Sequence, residues 1–311
     1  MVKIDLITGF LGSGKTTFIK EYASYYIKHQ KSIGILENDF GAVNVDMMAL
    51  KELEGEFCEL EMVAGGCDAD CHKRRFKTKL ISMGMLGYDR VLVEPSGIFD
   101  VDEFFDVLRE DPLDRWYEIG SVIAVVDGGL EEELSQEENA ILASEVATAG
   151  LVVFSKGDLY DDARMERTLE HLNRALKQVK CNRRMTKEDI WVREQGPILD
   201  KDFKRISEAG YRLEDYEKIH MDTSDLFSVI YVMDRHLKKD QVLSGVKTLF
   251  SQNDDTKKVF RIKGFFEEDG WQELNATTEN LMVKKITDGQ DVLIVIGENI
   301  SEDYVLKAFQ L

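Results

Sequence analysis

The sequence predicts an α/β protein: a mostly parallel sheet with helices on both faces, followed by a smaller C-terminal α+β domain. Three observations predict it. Apolar runs of strand length alternate with helix-length amphipathic stretches through the first half of the chain. A glycine-rich turn from Gly9 to Lys15 joins the first strand to the first helix. Late in the chain the alternation gives way to closely spaced strands and a closing helix.

Taken in order, Lys3 to Thr8 reads as a strand and Lys15 to His29 as an amphipathic helix. Ser32 to Glu37, Phe57 to Val63, Arg90 to Glu94, Ser121 to Asp127 and Leu151 to Ser155 are further strand candidates, each followed by a helical stretch. Near-continuous hydrophobicity of this kind marks parallel strands buried on both faces. Arg164 to Val179 reads as a charged helix, after which periodicity fades. The domain boundary falls within Gly196 to Asp222, giving one domain over residues 1–205 and another over 215–311. In the second, Met233 to Phe250 has helical spacing. Lys258 to Phe265, Asn280 to Thr287 and Asp291 to Ile296 read as strands, and Ser301 to Leu311 as a helix.

The 311 residues are 43% hydrophobic and 32% charged with only 3 prolines, which excludes a disordered or collagen-like chain. The formal charge of -19 repels a phosphate backbone, so nucleic acid is not the expected partner. No apolar stretch is long enough to span a membrane and no signal-peptide pattern opens the chain, so a cytoplasmic protein without membrane partners is expected. Four cysteines are too few for a disulfide scaffold of this length and are expected to be reduced.

Gly9-Phe10-Leu11-Gly12-Ser13-Gly14-Lys15-Thr16 has the spacing of a phosphate-binding loop, or P-loop, and lies between a strand and a helix as such a loop must. Successive backbone N–H groups, including those of Gly12, Ser13, Gly14 and Thr17, can curl around the β-phosphate at the positive end of the helix. Lys15 reaches the β- and γ-phosphates, and the Thr16 hydroxyl is placed to bind Mg²⁺. This makes the first domain a P-loop NTPase.

Three later strand ends bear on the same site. Glu94 closes an apolar strand and is followed by Gly97, whose N–H could sense a γ-phosphate; Glu94 suits an outer-shell Mg²⁺ contact or the polarisation of water. Asp39, after the second strand, is a candidate for Mg²⁺ or for orienting the attacking water, and equally for a turn or helix cap. Lys156 and Asp158 follow a late strand. A carboxylate there accepts both N1–H and N2–H of guanine, which adenine does not offer, while the lysine stem lies along the purine. GTP is therefore the expected nucleotide and GDP the product.

These residues resemble the CobW-type GTPases of the SIMIBI class, a family of metal-handling P-loop proteins. The resemblance rests on Ile7 to Thr17, on Asn38-Asp39-Phe40-Gly41 through Val45-Asp46, on Glu94-Pro95-Ser96-Gly97, and on Ser155-Lys156-Gly157-Asp158. Phe260 to Phe265 and Val292 to Gly297 resemble the family's C-terminal domain. The resemblance implies a GTPase that serves as a metallochaperone or cofactor-insertion factor for a client enzyme, with dimerisation as in many relatives.

The family's Cys-x-Cys-Cys motif is altered here. Gly66-Cys67-Asp68-Ala69-Asp70-Cys71-His72 keeps the first cysteine and places another four residues on. On a helix Cys67 and Cys71 share a face, and Asp70 or His72 could complete a site for Zn²⁺, Co²⁺ or Ni²⁺. The alternative is a pair of buried thiols. Cys58, on the preceding strand, is placed to point toward the same region. The basic run His72 to Lys79 could dock an acidic partner or supply a charge to the nucleotide, and otherwise is a solvated helix face. Two competing readings accompany the metal-handling GTPase. One is a GTP-gated, metal-independent chaperone of a cofactor-dependent enzyme, such as a corrinoid enzyme; the other is a P-loop kinase acting on a small molecule.

Overall fold

The computed structural model describes residues 1–10, 12–39, 45–64, 69–95, 101–130, 134–194, 196–217, 228–254, 256–278 and 280–311, with backbone alone at 39, 45, 46, 64, 69 and 70. It comprises two compact units, Met1–Ile219 and His220–Leu311.

In the first unit β1 (Val2–Thr8), β2 (Ile33–Asp39), β3 (Cys58–Ala64), β4 (Arg90–Pro95), β5 (Tyr117–Asp127), β6 (Leu151–Ser155) and β7 (Ile190–Val192) form one sheet in the order β3-β2-β4-β1-β5-β6-β7. Every pairing in it is parallel. The helices are α1 (Lys15–Lys28), α2 (Val45–Leu50), α3 (Ala69–Leu86), α4 (Val101–Leu108), α5 (Leu113–Trp116), α6 (Gln136–Ala147), α7 (Asp162–Gln178) and α8 (Asp200–Ser207). Because all strands run the same way, Thr8, Asp39, Pro95, Asp127 and Ser155 end at one sheet edge. From central β1 the connections run outward in both directions, leaving the switch-point crevice where open α/β sheets bind ligands.

The strands are buried on both faces, as their continuous hydrophobicity demands: every residue of β4 and β6 is buried. α1 turns Phe18, Ile19, Tyr22, Ala23 and Tyr26 inward, a stripe at helical spacing that packs on Ile33, Ile35, Leu92 and Ile123. One charged pair interrupts this core. Nη1 of Arg90 donates to Asp5 Oδ1 and Oδ2 at 2.9 and 2.6 Å, and the Tyr22 hydroxyl and Ser121 N–H also donate to Asp5, at 2.9 and 2.8 Å. Gly120 leaves room for this pair, because a Cβ there falls 2.3 Å from Asp5 Oδ1.

α6 is pinned at both ends. Ser135 and Glu138 close a capping box at its start. At its end Arg183 Nη1 donates to the carbonyls of Val146 and Ala147 at 2.5 and 2.9 Å, and to that of Ala149 at 2.7 Å.

The second unit holds an antiparallel sheet in the order β11-β10-β9-β12-β8, built from β8 (Ser228–Met233), β9 (Lys258–Glu267), β10 (Trp271–Thr277), β11 (Leu281–Lys285) and β12 (Val292–Glu298). α9 (Lys239–Ser251) and α10 (Glu302–Ala308) cover one face, where Val246, Leu249, Val305 and Phe309 meet Ile262, Phe266, Leu293 and Val295. Among the described residues no helix is long and apolar enough to cross a membrane.

Three expectations change. Met233 to Phe250 is not one helix: Met233 ends β8, Asp234 and His236 take positive φ of 54° and 50°, and α9 begins at Lys239. The turn is fixed because the N–H groups of Asp234 and His236 donate to Asp291, at 3.0 Å to its carbonyl and 2.6 Å to its side chain. β7, β8 and β10 were not foreseen as strands. Cys58 is a core residue: it starts β3 within the core cluster, six residues of strand, about 20 Å, from Ala64 at the other end. Burial, with the Glu54 charge adding to it, pushes the Cys58 thiol up to about 12, so it remains protonated.

Candidate nucleotide-binding site

The loop between β1 and α1 adopts a conformation that its glycines make accessible. Gly9 has φ of 148°, and a Cβ there falls 2.2 Å from the Val125 carbonyl oxygen on β5. Gly14 caps α1 in the left-handed region at φ 95°. Lys15 is buried and folds back on the loop, its Nζ donating to the Gly9 carbonyl at 2.7 Å. Thr17 is exposed in the first turn of α1. The hydroxyls of Thr8, Ser13 and Ser155 are buried with no hydrogen-bond partner among the described residues, so polar capacity is gathered around the loop.

Beside the loop, Thr16 Oγ1 donates to Glu94 Oε1 at 3.1 Å. Glu94 is 4% exposed, as is Glu37, which lies opposite it across the β2–β4 pairing. Two buried carboxylates and a hydroxyl are hard oxygen donors, the set that a magnesium ion takes. Glu37 stands at the same strand end as Asp39, the carboxylate that the sequence offers as the candidate there. The Asp39 side chain, Gly97 and the whole of 96–100 lie outside the described residues.

The third component follows β6. Lys156 stands in the left-handed region at φ 57°, and its ammonium pairs with Asp127, the last residue of β5. Asp127 also accepts from the Gly129 N–H at 2.9 Å, so it is held while it holds Lys156. Its part was missed because a strand-end aspartate gives no local sign of a lysine 29 residues away. Asp158 lies exposed in a 3₁₀ turn, Gly157–Leu159. The turn is braced by β7's end: the Gly157 N–H donates to the Arg193 carbonyl at 3.0 Å, and a Cβ on Gly157 falls 2.6 Å from Val192. Arg193 in turn donates to Glu21 of α1 at 2.7 Å, tying this turn to the helix that leaves the phosphate loop.

Of the expected metal ligands, Cys67 and the side chain of Asp70 lie outside the described residues. Cys71 is half-buried on α3. His72, one residue further, faces inward and is wholly buried; its Nε2–H donates to Asn38 Oδ1 on β2 at 2.7 Å. Among the described residues no cluster of three or more His, Cys, Asp or Glu side chains is arranged around a metal position. Within the basic run, Lys77 pairs with Glu110 at 2.7 Å and Lys79 with Glu61 at 2.7 Å, while Lys73 reaches Glu110 at 3.9 Å. Those three lysines are therefore surface ion-pair partners, as the solvated-face reading expects.

Comparison with known proteins bears on the whole domain. Residues 3–187 match the family model described as CobW/HypB/UreG, nucleotide-binding domain. The chain is 22% identical to zinc chaperone YjiA of Escherichia coli (strain K12) over 280 residues, covering 86% of this chain and 83% of that protein. It is 29% identical to zinc chaperone YeiR of the same organism over 159 residues, covering 51% of this chain and spanning about half of that protein, 47%. A crystal structure of Zn(II)-bound YjiA GTPase from E. coli is similar with a TM-score of 0.41 and 18% identity, covering 99% of this chain and 98% of that one.

Proposed function

Since this chain belongs to the CobW/HypB/UreG nucleotide-binding family, with residues 3–187 matched, we propose that it binds Mg²⁺-GTP and hydrolyses it to time delivery of a metal ion or metal cofactor to a client enzyme. One observation carries the reading. Lys15, the Thr16–Glu94 contact at 3.1 Å and the Lys156–Asp127 pair converge on a single sheet edge.

Each group has a chemical task. The backbone N–H groups from Gly12 to Thr17 receive phosphate oxygens, and Lys15, turning from Gly9 toward the ligand, neutralises charge on the β- and γ-phosphates. Thr16 and Glu94, with Asp39 and Glu37 at the end of β2, would hold Mg²⁺, which when bound would neutralise phosphate charge. Asp158 accepts the two guanine donors, and Asp127 positions Lys156 along the purine. In hydrolysis a water oxygen bonds to the γ-phosphorus as the bond to the β–γ bridging oxygen breaks. Asp39 or Glu94 orients that water, the Gly97 N–H registers the γ-phosphate, and GDP and phosphate leave.

The cargo reading rests on thiolate chemistry and on the relatives' names. YjiA and YeiR are described as zinc chaperones, which supports Zn²⁺ as the cargo of Cys67, Asp70, Cys71 and His72, with Co²⁺ and Ni²⁺ as the other ions such donors take. The buried His72–Asn38 bond supports coupling, because it ties the cysteine-bearing helix to the strand that ends at Asp39. Two copies of the chain and a client enzyme are the partners this reading proposes.

Coupling of two sites is reciprocal. Saturating Zn²⁺ is expected to change the dissociation constant of a non-hydrolysable GTP analogue by about fivefold or more, measured by titration calorimetry. Replacing Cys67 and Cys71 by serine should remove that change and leave nucleotide binding intact. Nucleotide affinity indifferent to Zn²⁺, Co²⁺ and Ni²⁺ would end the metal half of the reading and leave a GTP-gated chaperone acting through protein contacts.

A further inference from the structure

A guanine nucleotide has two ends, and the reading above assigns them to elements far apart in the chain. The phosphates fall on the loop before α1 and the base on the turn after β6. One side chain joins those elements directly. Arg193, just past β7, donates from Nε to Glu21 Oε2 of α1 at 2.7 Å, and its Nη2 lies 2.5 Å from Glu21 Oε1. This is the two-pronged arginine–carboxylate geometry, which fixes orientation as well as distance. The two side chains are 13% and 30% exposed, so solvent screens the pair only in part.

Both ends of this strut are anchored. The Arg193 N–H donates to the Phe154 carbonyl of β6 at 2.8 Å, and its own carbonyl accepts from the Gly157 N–H of the base turn at 3.0 Å. The guanidinium also reaches the Gly196 carbonyl and lies over the Trp191 ring, 5.9 Å from its centre. On the other side, Glu21 stands about 9 Å along α1 from Lys15. One turn nearer the loop, Phe18 meets Trp191 edge to face at 6.5 Å. α1 and β7 are thus held together at two successive points, one apolar and one ionic. None of these four side chains has a task in holding phosphate, Mg²⁺ or base.

A ligand with two ends gains over its separate pieces only where the two sites stand at the ligand's own span, and most where they are held there before it binds. We propose that Glu21 and Arg193 are positioning residues that fix the span between the phosphate loop and the base turn, and so govern the affinity for a whole guanine nucleotide without touching it. The proposal rests on the nucleotide-binding reading and adds to it two residues outside the ligand's own contacts. Breaking the pair leaves the loop and the turn each intact but frees one to shift against the other. The loss therefore falls on a ligand that uses both elements and spares one that uses the loop alone.

The test uses the full chain with two probes: GDP, which spans both elements, and inorganic pyrophosphate, which fills the loop alone. Glu21→Gln keeps the side chain's size but removes its charge and one acceptor, whereas Arg193→Lys keeps the charge and loses the fork. Each variant is expected to raise the dissociation constant of GDP about fivefold or more, while that of pyrophosphate stays within about twofold of wild type. The double variant should bind GDP no more weakly than the single ones, because either change already breaks the pair. Thermal melts should stay near the wild type, since the backbone bonds of Arg193 do not need its side chain. Equal losses for GDP and pyrophosphate, unchanged GDP binding, or losses that multiply in the double variant overturn the role of the pair while leaving nucleotide binding in place. Wild-type protein that binds neither probe overturns both readings.

Discussion

Replacing Lys15 with alanine is expected to lower GTP turnover by at least about a hundredfold, the scale of losing one preorganised charge at a phosphoryl-transfer site. Lys15 is 7% exposed and its ammonium sits at 2.7 Å from the Gly9 carbonyl, already within the loop. Alanine keeps the first turn of α1 but removes the one cation that the loop itself brings to the phosphates. Arginine should not rescue, because a planar guanidinium does not fit a buried position shaped for a compact ammonium. The measurement is single-turnover GTP hydrolysis together with a thermal melt. A variant that melts near the wild type and hydrolyses GTP at a comparable rate would remove Lys15 from the reaction.

The largest stability effect is expected at Asp5. Asp5→Ala leaves the Arg90 guanidinium, whose side chain is 8% exposed, without its counter-charge, and breaking a buried pair from one side costs about 3–5 kcal/mol. The melting temperature of the first unit should fall by roughly 10 °C. Tyr22 and the Ser121 N–H lose the acceptor they share, which adds to the loss. Replacing both members of the pair, Asp5→Leu with Arg90→Met, should recover most of the stability, since an apolar pair of similar size carries no desolvation penalty. A single substitution costing under about 1 kcal/mol would mean that water reaches Arg90.

The parts of the fold that were legible in the sequence are those with a local signature. Val91 to Val93 of β4 and Leu151 to Phe154 of β6 are continuous apolar runs, because parallel strands covered on both faces have no reason to alternate. The glycines of the phosphate loop, with Lys15 and Thr16, announce themselves through a required backbone conformation and a fixed spacing. β10 was hidden for the opposite reason. Its inward positions are Gln272, Leu274 and Ala276, and a buried glutamine breaks the pattern that two-residue periodicity depends on. β7 is three residues long, too short for any periodic signal. β8 offered the β-branched and aromatic run Val229 to Val232, but its last residue, Met233, reads as the start of a helix, since the turn at Asp234 is enforced by Asp291, far along the chain.

The candidate site divides the same way. Residues proposed to meet a ligand directly, such as Lys15, Thr16, Glu94 and Asp158, stand at strand ends or within motifs where their type and spacing carry information. Those that act through another residue do not. Asp127 is legible only once Lys156 is seen to reach it. Asp5 and Arg90 lie 85 residues apart, and only the parallel pairing of β1 with β4 sets them side by side.

Guanine recognition through Asp158 is the claim on which the remaining roles depend. Equilibrium binding of GDP, ADP and XDP to the wild-type chain and to Asp158→Asn tests it most directly. A carboxylate that accepts two donors from guanine should favour GDP over ADP by at least about a hundredfold. Asparagine offers one donor and one acceptor, so the variant should lose GDP and gain XDP, whose C2 carbonyl accepts the amide N–H. Wild-type protein that binds ADP as tightly as GDP, or an Asp158→Asn variant whose preference is unchanged, would contradict the account.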